Sequence, residues 1–380
     1  MGNNKPKIGI VTFWNAQDNY GELLQCYALQ QVLIKLGAEP FLIKYIPFSN
    51  TQILKRFLFL LSTFQWHRIL KAVAAQIKNK KIKITPRGFD KFRESHIKSS
   101  AQTFFLKDLK KNPPQADFYV CGSDQIWSGD YDEGYFLDFG GENIPKIAYA
   151  ASFGKPRISN KYAVQISKQL NKFKIVSVRE QSGVEICKKA GIDNVLCVPD
   201  PTLLLTEQDY KKIIPQDIKT HQREYLLVYL LGFDTANVNF DDIEFFVNQR
   251  DLEIIYVPSL GYTLGLTDKF PKYSPDVFEW LALMANAKYV LTNSFHGTLF
   301  SVIFKRKFGT YLLQNKDGRM NERIWTLFDK LHLQNRIVSD NLEQTLVAPI
   351  DYESVNKNLH DDREKIRGYF KEWFEVISSH

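Results

Sequence analysis

Short apolar runs alternate along this chain with longer stretches whose apolar residues recur at helical spacing, the pattern of strands and helices taking turns. In the first half, Lys7–Thr12 (KIGIVT), Glu39–Ile46 (EPFLIKYI), Ala116–Cys121 (ADFYVC), Lys146–Ala151 (KIAYAA), Ile175–Val178 (IVSV) and Val195–Val198 are almost continuously apolar. Runs of this kind predict strands covered on both faces, as in a parallel sheet. A second series follows at Glu224–Leu231 (EYLLVYLL), Leu252–Val257 (LEIIYV), Tyr289–Leu291 and Phe308–Leu313. Helices are predicted between them. One covers Leu23–Leu36, with Leu29, Val32, Leu33 and Leu36 on its face and Gly37 as its stop. Others start at Ser274, with Pro275 in the first position, and cover Ile324–Leu331 and Asp361–Ser378, the last with Ile366, Phe370 and Trp373 on one side.

The predicted strands end alike. Asn15–Glu22 follows the first, Gly122–Trp127 (GSDQIW) the third, Ser152–Gly154 the fourth, Arg179–Glu180 the fifth and Pro199–Pro201 the sixth. Small, polar and charged residues thus gather at one sheet edge, where open α/β sheets bind their ligands. In the second series, Thr292, Asn293 and Ser294 end a strand, Phe295–Gly297 are expected to turn, and a helix is expected from Gly297 and Thr298. Free N–H groups at such a helix start suit an anion, and His296 stands inside that turn. A histidine at such a junction serves structure more often than catalysis, so its position alone leaves both open. The expected fold is α/β, two Rossmann-like domains facing each other. The first spans residues 1–205 with a basic helical insertion at 51–111, the second spans 206–360, and a C-terminal helix occupies 361–380. No GxGxxG follows any strand, which leaves dinucleotide binding without local support.

Charge changes this picture in one place. The chain of 380 residues carries a net charge of +8, yet 15 Lys plus Arg against 3 Asp plus Glu fall between Thr51 and Lys111, so the remainder is net acidic. Nucleic acid is therefore not expected as a partner. The cluster of Phe57–Leu61, Phe64 and Trp66 beside Lys78, Lys80, Lys81 and Lys83 suits an anionic membrane surface, or a packed helical hairpin with a solvated basic rim, the commoner fate of a charge run. Four cysteines lie far apart without a CxxC pair, so neither a disulfide framework nor a metal site is indicated. The N-terminal apolar run is too short for a signal peptide, and no run reaches the ~20 residues of a membrane span. A cytoplasmic protein is expected, and the basic cluster leaves a peripheral place at the inner face of the cell membrane open.

Seven motifs occur in order: NYGELLQCYALQ at Asn19–Gln30, GSDQIW, YAASFG at Tyr149–Gly154, SVRE at Ser177–Glu180, DPTLLL at Asp200–Leu205, SFHGT at Ser294–Thr298, and Arg-x-Asn-x-Arg at Arg319–Arg323 (RMNER). Together they resemble the polysaccharide pyruvyl transferase family, over nearly the whole chain. The resemblance implies a GT-B-like fold and transfer of pyruvate from phosphoenolpyruvate onto a sugar of a cell-surface polysaccharide or its lipid-linked precursor, closing a cyclic ketal. It implies no cofactor and no metal, with phosphoenolpyruvate as donor substrate. His296 and Arg179 are the expected catalytic residues. Asn293, Ser294, Gly297, Thr298, Arg319 and Arg323 are the expected donor-binding set, and Asn19, Tyr20, Gly21, Glu22, Ser123, Asp124, Gln125 and Ser152 the acceptor-binding set. Many relatives place Arg where this chain has Ser294, so Arg319 or Arg323 is expected to supply that charge. A GT-B glycosyltransferase using a nucleotide sugar is the alternative, although no acidic ribose ligand is evident in the second domain. A membrane-associated scaffold for glycan assembly is a third, against which the converging polar strand ends argue.

Overall fold

The computed structural model describes residues 5–47, 87–129, 132–218, 221–231, 235, 237–259, 269–339 and 341–378. Its first part runs β1 (Lys7–Val11), α1 (Tyr20–Lys35), β2 (Glu39–Tyr45), α2 (Phe89–His96), β3 (Ser99–Phe104), α3 (Leu106–Lys111), β4 (Phe118–Cys121), β5 (Lys146–Ala151), α4 (Asn160–Leu170), β6 (Ile175–Val178), α5 (Gln181–Lys189) and β7 (Val195–Cys197). After the short helix α6 (Glu207–Lys211) come β8 (Tyr225–Leu230), α7 (Phe240–Gln249), β9 (Glu253–Pro258), α8 (Val277–Asn286), β10 (Tyr289–Thr292), α9 (Phe295–Ile303), β11 (Lys307–Thr310), α10 (Glu322–Leu331), α11 (Leu342–Val347) and α12 (Tyr352–Ser378).

The strands form two wholly parallel sheets, ordered β3-β2-β1-β4-β5-β6-β7 and β11-β10-β8-β9. Strand order reverses between β1 and β4 in the first and between β8 and β10 in the second. Each reversal opens a crevice at the carboxyl ends of the strands, because successive helices leave it to opposite sides. The two crevices face each other.

Little separates the two halves. One apolar cluster runs from Tyr20, Leu23 and Leu24 of α1 through Trp280 and Leu281 of α8 to Leu299 and Phe300 of α9. Helix α1 is buried nearly all round, as its lack of a polar stripe requires. Helix α12 then crosses back. Its Ile366, Phe370 and Trp373 pack on Ile8, Phe118, Ile147 and Tyr149 of the first sheet, each side chain stabilising by roughly 1.5–3 kcal/mol.

Several expectations are corrected here. The 51–111 insertion is not all helical: Ser99–Phe104 pairs with β2 as the edge strand of the first sheet. Phe57–Trp66 and Lys78, Lys80, Lys81 and Lys83 lie outside the described residues. Helix α12 begins at Tyr352 rather than Asp361. Asp276, not Ser274, caps α8, because its carboxylate accepts from Glu279 N while Glu279 returns a bond to Asp276 N. Helix α1 begins at Tyr20, three residues before Leu23, since the Asn19 side chain accepts from Glu22 N. Among the described residues no helix is long and apolar enough to cross a membrane.

Candidate active site

On the first sheet, Thr12 at the end of β1 donates to Ser123 O at 2.7 Å and accepts from Gln25 Nε2 at 3.0 Å, fixing α1 against the crevice. The loop before α1 folds back so that Ala16 N donates to Glu22 Oε1 at 3.0 Å. Asp124 adopts a left-handed φ of 82°, a conformation that Asp tolerates, and its Oδ1 accepts from Gln125 N at 2.8 Å. That bend sets Asp124 and Gln125 into the cleft.

On the second sheet, Asn293 clamps the opposite crevice. Its Oδ1 accepts from Leu231 N at 2.6 Å and its Nδ2 donates to Leu231 O at 3.0 Å, joining the ends of β8 and β10. Ser294 is the N-cap of α9, accepting from Gly297 N at 3.3 Å, so the helix starts at Phe295 and not at Gly297. The N–H groups of Phe295 and His296 lie in the first turn, beyond the reach of any helix carbonyl. Every residue of α9 is buried; Thr298 and Ser301 satisfy their hydroxyls on the carbonyls of Ser294 and Gly297.

The halves meet at Asp200, which is fully buried. Its Oδ1 accepts from Thr202 N and Oγ1 at 3.0 and 2.8 Å, and its Oδ2 accepts from Ser123 Oγ and Arg179 at 2.8 and 2.7 Å. His296 Nε2 stands 3.5 Å from the same Oδ2, close enough for charge but outside hydrogen-bond geometry. Burial alone would push the Asp200 carboxyl up, but His296 and Arg179 hold it well below the usual carboxylate range. Arg179 is itself buried, 3.6 Å from Asp124, and burial opposes its charge while Asp200 and Asp124 reinforce it.

Phe295 sits between two guanidinium groups, Arg179 at 4.7 Å and Arg323 at 5.0 Å from its ring centre. Among the described residues no carboxylate pairs with Arg323, whose Nε donates to Met320 O at 3.2 Å. Burial, then the nearby Arg179 charge, bring its pKa down to about 10. Across the cleft the balance is reversed. Burial and the Asp124 carboxylate push Glu22 up to about 8, against the pull of the Ala16 N–H.

The cleft between the sheets, of ≈ 590 Å³, has Asp18, Asn19, Glu22, Asp124 and Gln125 on one wall and Asn293, Ser294, His296 and Arg323 on the other. Apart from Asp18, those are the sequence-expected residues that the fold brings together. The others stand elsewhere. Tyr20 is buried, stacked on Trp280 at 4.8 Å, with its hydroxyl donating to Pro275 O. Gly21 lies under the His296 ring. Ser123 is spent on Asp200, and Ser152 on the buried Glu180 carboxylate at 2.9 Å. Gly297 and Thr298 are buried within α9, and Arg319 is exposed. Arg179 lines a separate small cavity behind Phe295. Sequence reasoning passed over Asp18, Ser259 and Phe295, and assigned Asp200 no site role. Asp18 lay in the flagged loop, and the Asp200 signal was its place between prolines after a strand.

A family model described as polysaccharide pyruvyl transferase matches residues 19–310. No curated protein matches the chain. Among solved structures, a UDP-N-acetylglucosamine 2-epimerase from Rickettsia bellii is similar at a TM-score of 0.50 and 12% identity, with 98% of each chain covered. The S. aureus MnaA–UDP co-structure is similar at TM-score 0.50 and 12% identity, again with 98% of each chain covered. At such identity the likeness speaks to the fold alone, two facing Rossmann-like sheets of the GT-B type.

Proposed function

The chain belongs to the polysaccharide pyruvyl transferase family, and we propose that it moves pyruvate from phosphoenolpyruvate onto two hydroxyls of a glycan acceptor, lipid-linked, to form a cyclic ketal. The observation that carries this reading is the polarity of the cleft. The wall made by the second sheet has Arg323, His296 and the first turn of α9; the opposite wall has Asp18, Glu22 and Asp124. A donor with a phosphate and a carboxylate fits the first wall, where helix N–H groups and a guanidinium provide charge-assisted bonds. An acceptor offering hydroxyl protons fits the second, which is built of proton acceptors.

In the reaction the methylene carbon C3 of the donor gains a proton and becomes methyl, leaving C2 electron-poor. One acceptor oxygen bonds to C2, the C2–O bond to phosphate breaks with its electron pair going to phosphate, and a second acceptor oxygen bonds to C2. The two hydroxyl protons account for the new methyl hydrogen and for protonated phosphate. His296 lies against the donor with its Nε2 beside Asp200 Oδ2, and Arg179 acts through Asp200 as a positioning residue. Arg323 replaces the charge that Ser294 does not supply.

The test is phosphate release from phosphoenolpyruvate across a panel of lipid-linked and nitrophenyl sugars, with mass spectrometry of the product. Ketal formation supports the reading. Transfer of a sugar from a nucleotide sugar instead, without reaction of phosphoenolpyruvate, overturns it.

A further inference from the structure

The transfer proposed above needs a group that gives one proton to carbon and takes one from oxygen, and besides the Arg323 guanidinium the cleft contains three carboxyl groups and one imidazole that face it. Asp18 accepts from Ser259 Oγ at 3.0 Å across the halves. Asp124 accepts from Gln125 N and lies 3.6 Å from Arg179, committed to its charge. His296 is held between Asp200 and the bare backbone of Gly21. Glu22 differs from all three. Its Oε1 accepts from Ala16 N, no hydrogen bond is made to Oε2, and no cation stands within ion-pair distance of it among the described residues.

We propose that Glu22 is the proton carrier of this transfer, a role that rests on the pyruvyl reading. As the acid it gives its proton to C3, and as the carboxylate it takes the proton of the first attacking hydroxyl. The π electrons of the donor form the new C–H bond, and the acceptor lone pair forms the C2–O bond. The hydroxyl proton then restores the acid, and the second hydroxyl proton leaves with phosphate. Glu22 thus ends as it began. Its position supports this: it lines the same cleft as His296 and Arg323 of the donor wall while belonging to the acceptor wall. Its charged surroundings are Asp18 and Asp124 beside it, Arg93 from α2, and His296 and Arg323 from the second sheet. The two carboxylates favour its neutral form, and burial favours it more.

Two measurements on Glu22→Gln and Glu22→Asp test the role. The first is thermal unfolding between pH 5 and pH 9. The folded protein keeps a proton that the unfolded chain, with Glu near its ordinary ~4.3, gives up, so wild type loses stability relative to Glu22→Gln as pH rises toward 8. The difference in Tm should widen by about 3 °C or more in favour of Glu22→Gln; a difference that stays flat overturns the proposal. The second is turnover of phosphoenolpyruvate with a competent acceptor. The expected outcome for Glu22→Gln is kcat lowered by ~10² or more with stabilisation by phosphoenolpyruvate retained, and loss of the decline in rate that wild type shows above pH 8, while Glu22→Asp keeps that decline. A raised KM with unchanged kcat overturns the proton role and leaves the pyruvyl reading intact. A wild type that never consumes phosphoenolpyruvate overturns both, even where the pH-dependent difference in Tm is found.

Discussion

Gly21 and His296 occupy one space: a Cβ placed on Gly21 would lie 2.1 Å from both Cγ and Nδ1 of the His296 ring. The N-terminal turn of α1 therefore forms the floor on which the histidine of the opposite half rests. Gly21→Ala is expected to push the ring off Asp200 and to lower transfer by ~10² or more. Its effect on stability combines a helix-propensity gain of about 1 kcal/mol with an overpacking cost of roughly 1–3 kcal/mol. Adding His296→Ala to Gly21→Ala should raise Tm by removing the clash. A double variant no more stable than Gly21→Ala would show that the two do not compete for space.

Arg179→Ala should unfold more easily, because it leaves the Asp200 carboxylate buried without its closest cation. Breaking a buried pair from one side costs about 3–5 kcal/mol. Urea titration should show Arg179→Ala well below wild type and Arg179→Ala/Asp200→Asn recovering part of the loss. A loss under ~1 kcal/mol in the single variant contradicts the structural role. His296→Ala, by contrast, should unfold near wild type and still lose transfer by ~10².

Phosphoenolpyruvate should raise Tm with a chelator present, since Arg323 and the α9 N–H groups meet its charge directly. Arg323→Ala should abolish that shift and raise KM for the donor at least tenfold. A shift that requires magnesium, or that nucleotide sugars produce instead, favours the glycosyltransferase alternative.

The basic stretch from Thr51 to Lys111 leads to a separate expectation, drawn from its charge. At an anionic surface each Lys or Arg contributes about 1 kcal/mol, so the protein should co-sediment with phosphatidylserine vesicles at low salt and be released as screening grows. Replacing Lys78, Lys80, Lys81 and Lys83 with Gln should weaken that binding. Indifference to all four charges would assign them to a solvated rim.

What the chain announced most clearly was its parallel sheets. Lys146–Ala151 and Ile175–Val178 are strands with the predicted bounds, because a strand covered on both faces must be apolar throughout. Ser99–Phe104 escaped for the opposite reason. It is an edge strand of mostly polar residues, and its pairing with β2 has no signature in its own sequence. The site was legible as strand ends but not as contacts. That His296 and Asp200, 96 positions apart in the chain, meet at 3.5 Å follows from how the sheets face each other, which no local pattern encodes. Likewise Tyr20 and Glu22 stood in one motif, yet one helical turn directs the first to the core and the second to the cleft.

Helix α12 bears on how the protein is made. The strip of the first sheet formed by Ile8, Phe118, Ile147 and Tyr149 is covered by Ile366, Phe370 and Trp373, which leave the ribosome more than two hundred residues after the last of those strands. At about 5–20 residues per second the strip waits ten seconds or longer for its cover. During that interval the nascent chain presents an uncovered apolar surface to solvent and to chaperones. A helix that emerges late is thus the one that closes the first sheet to be synthesised.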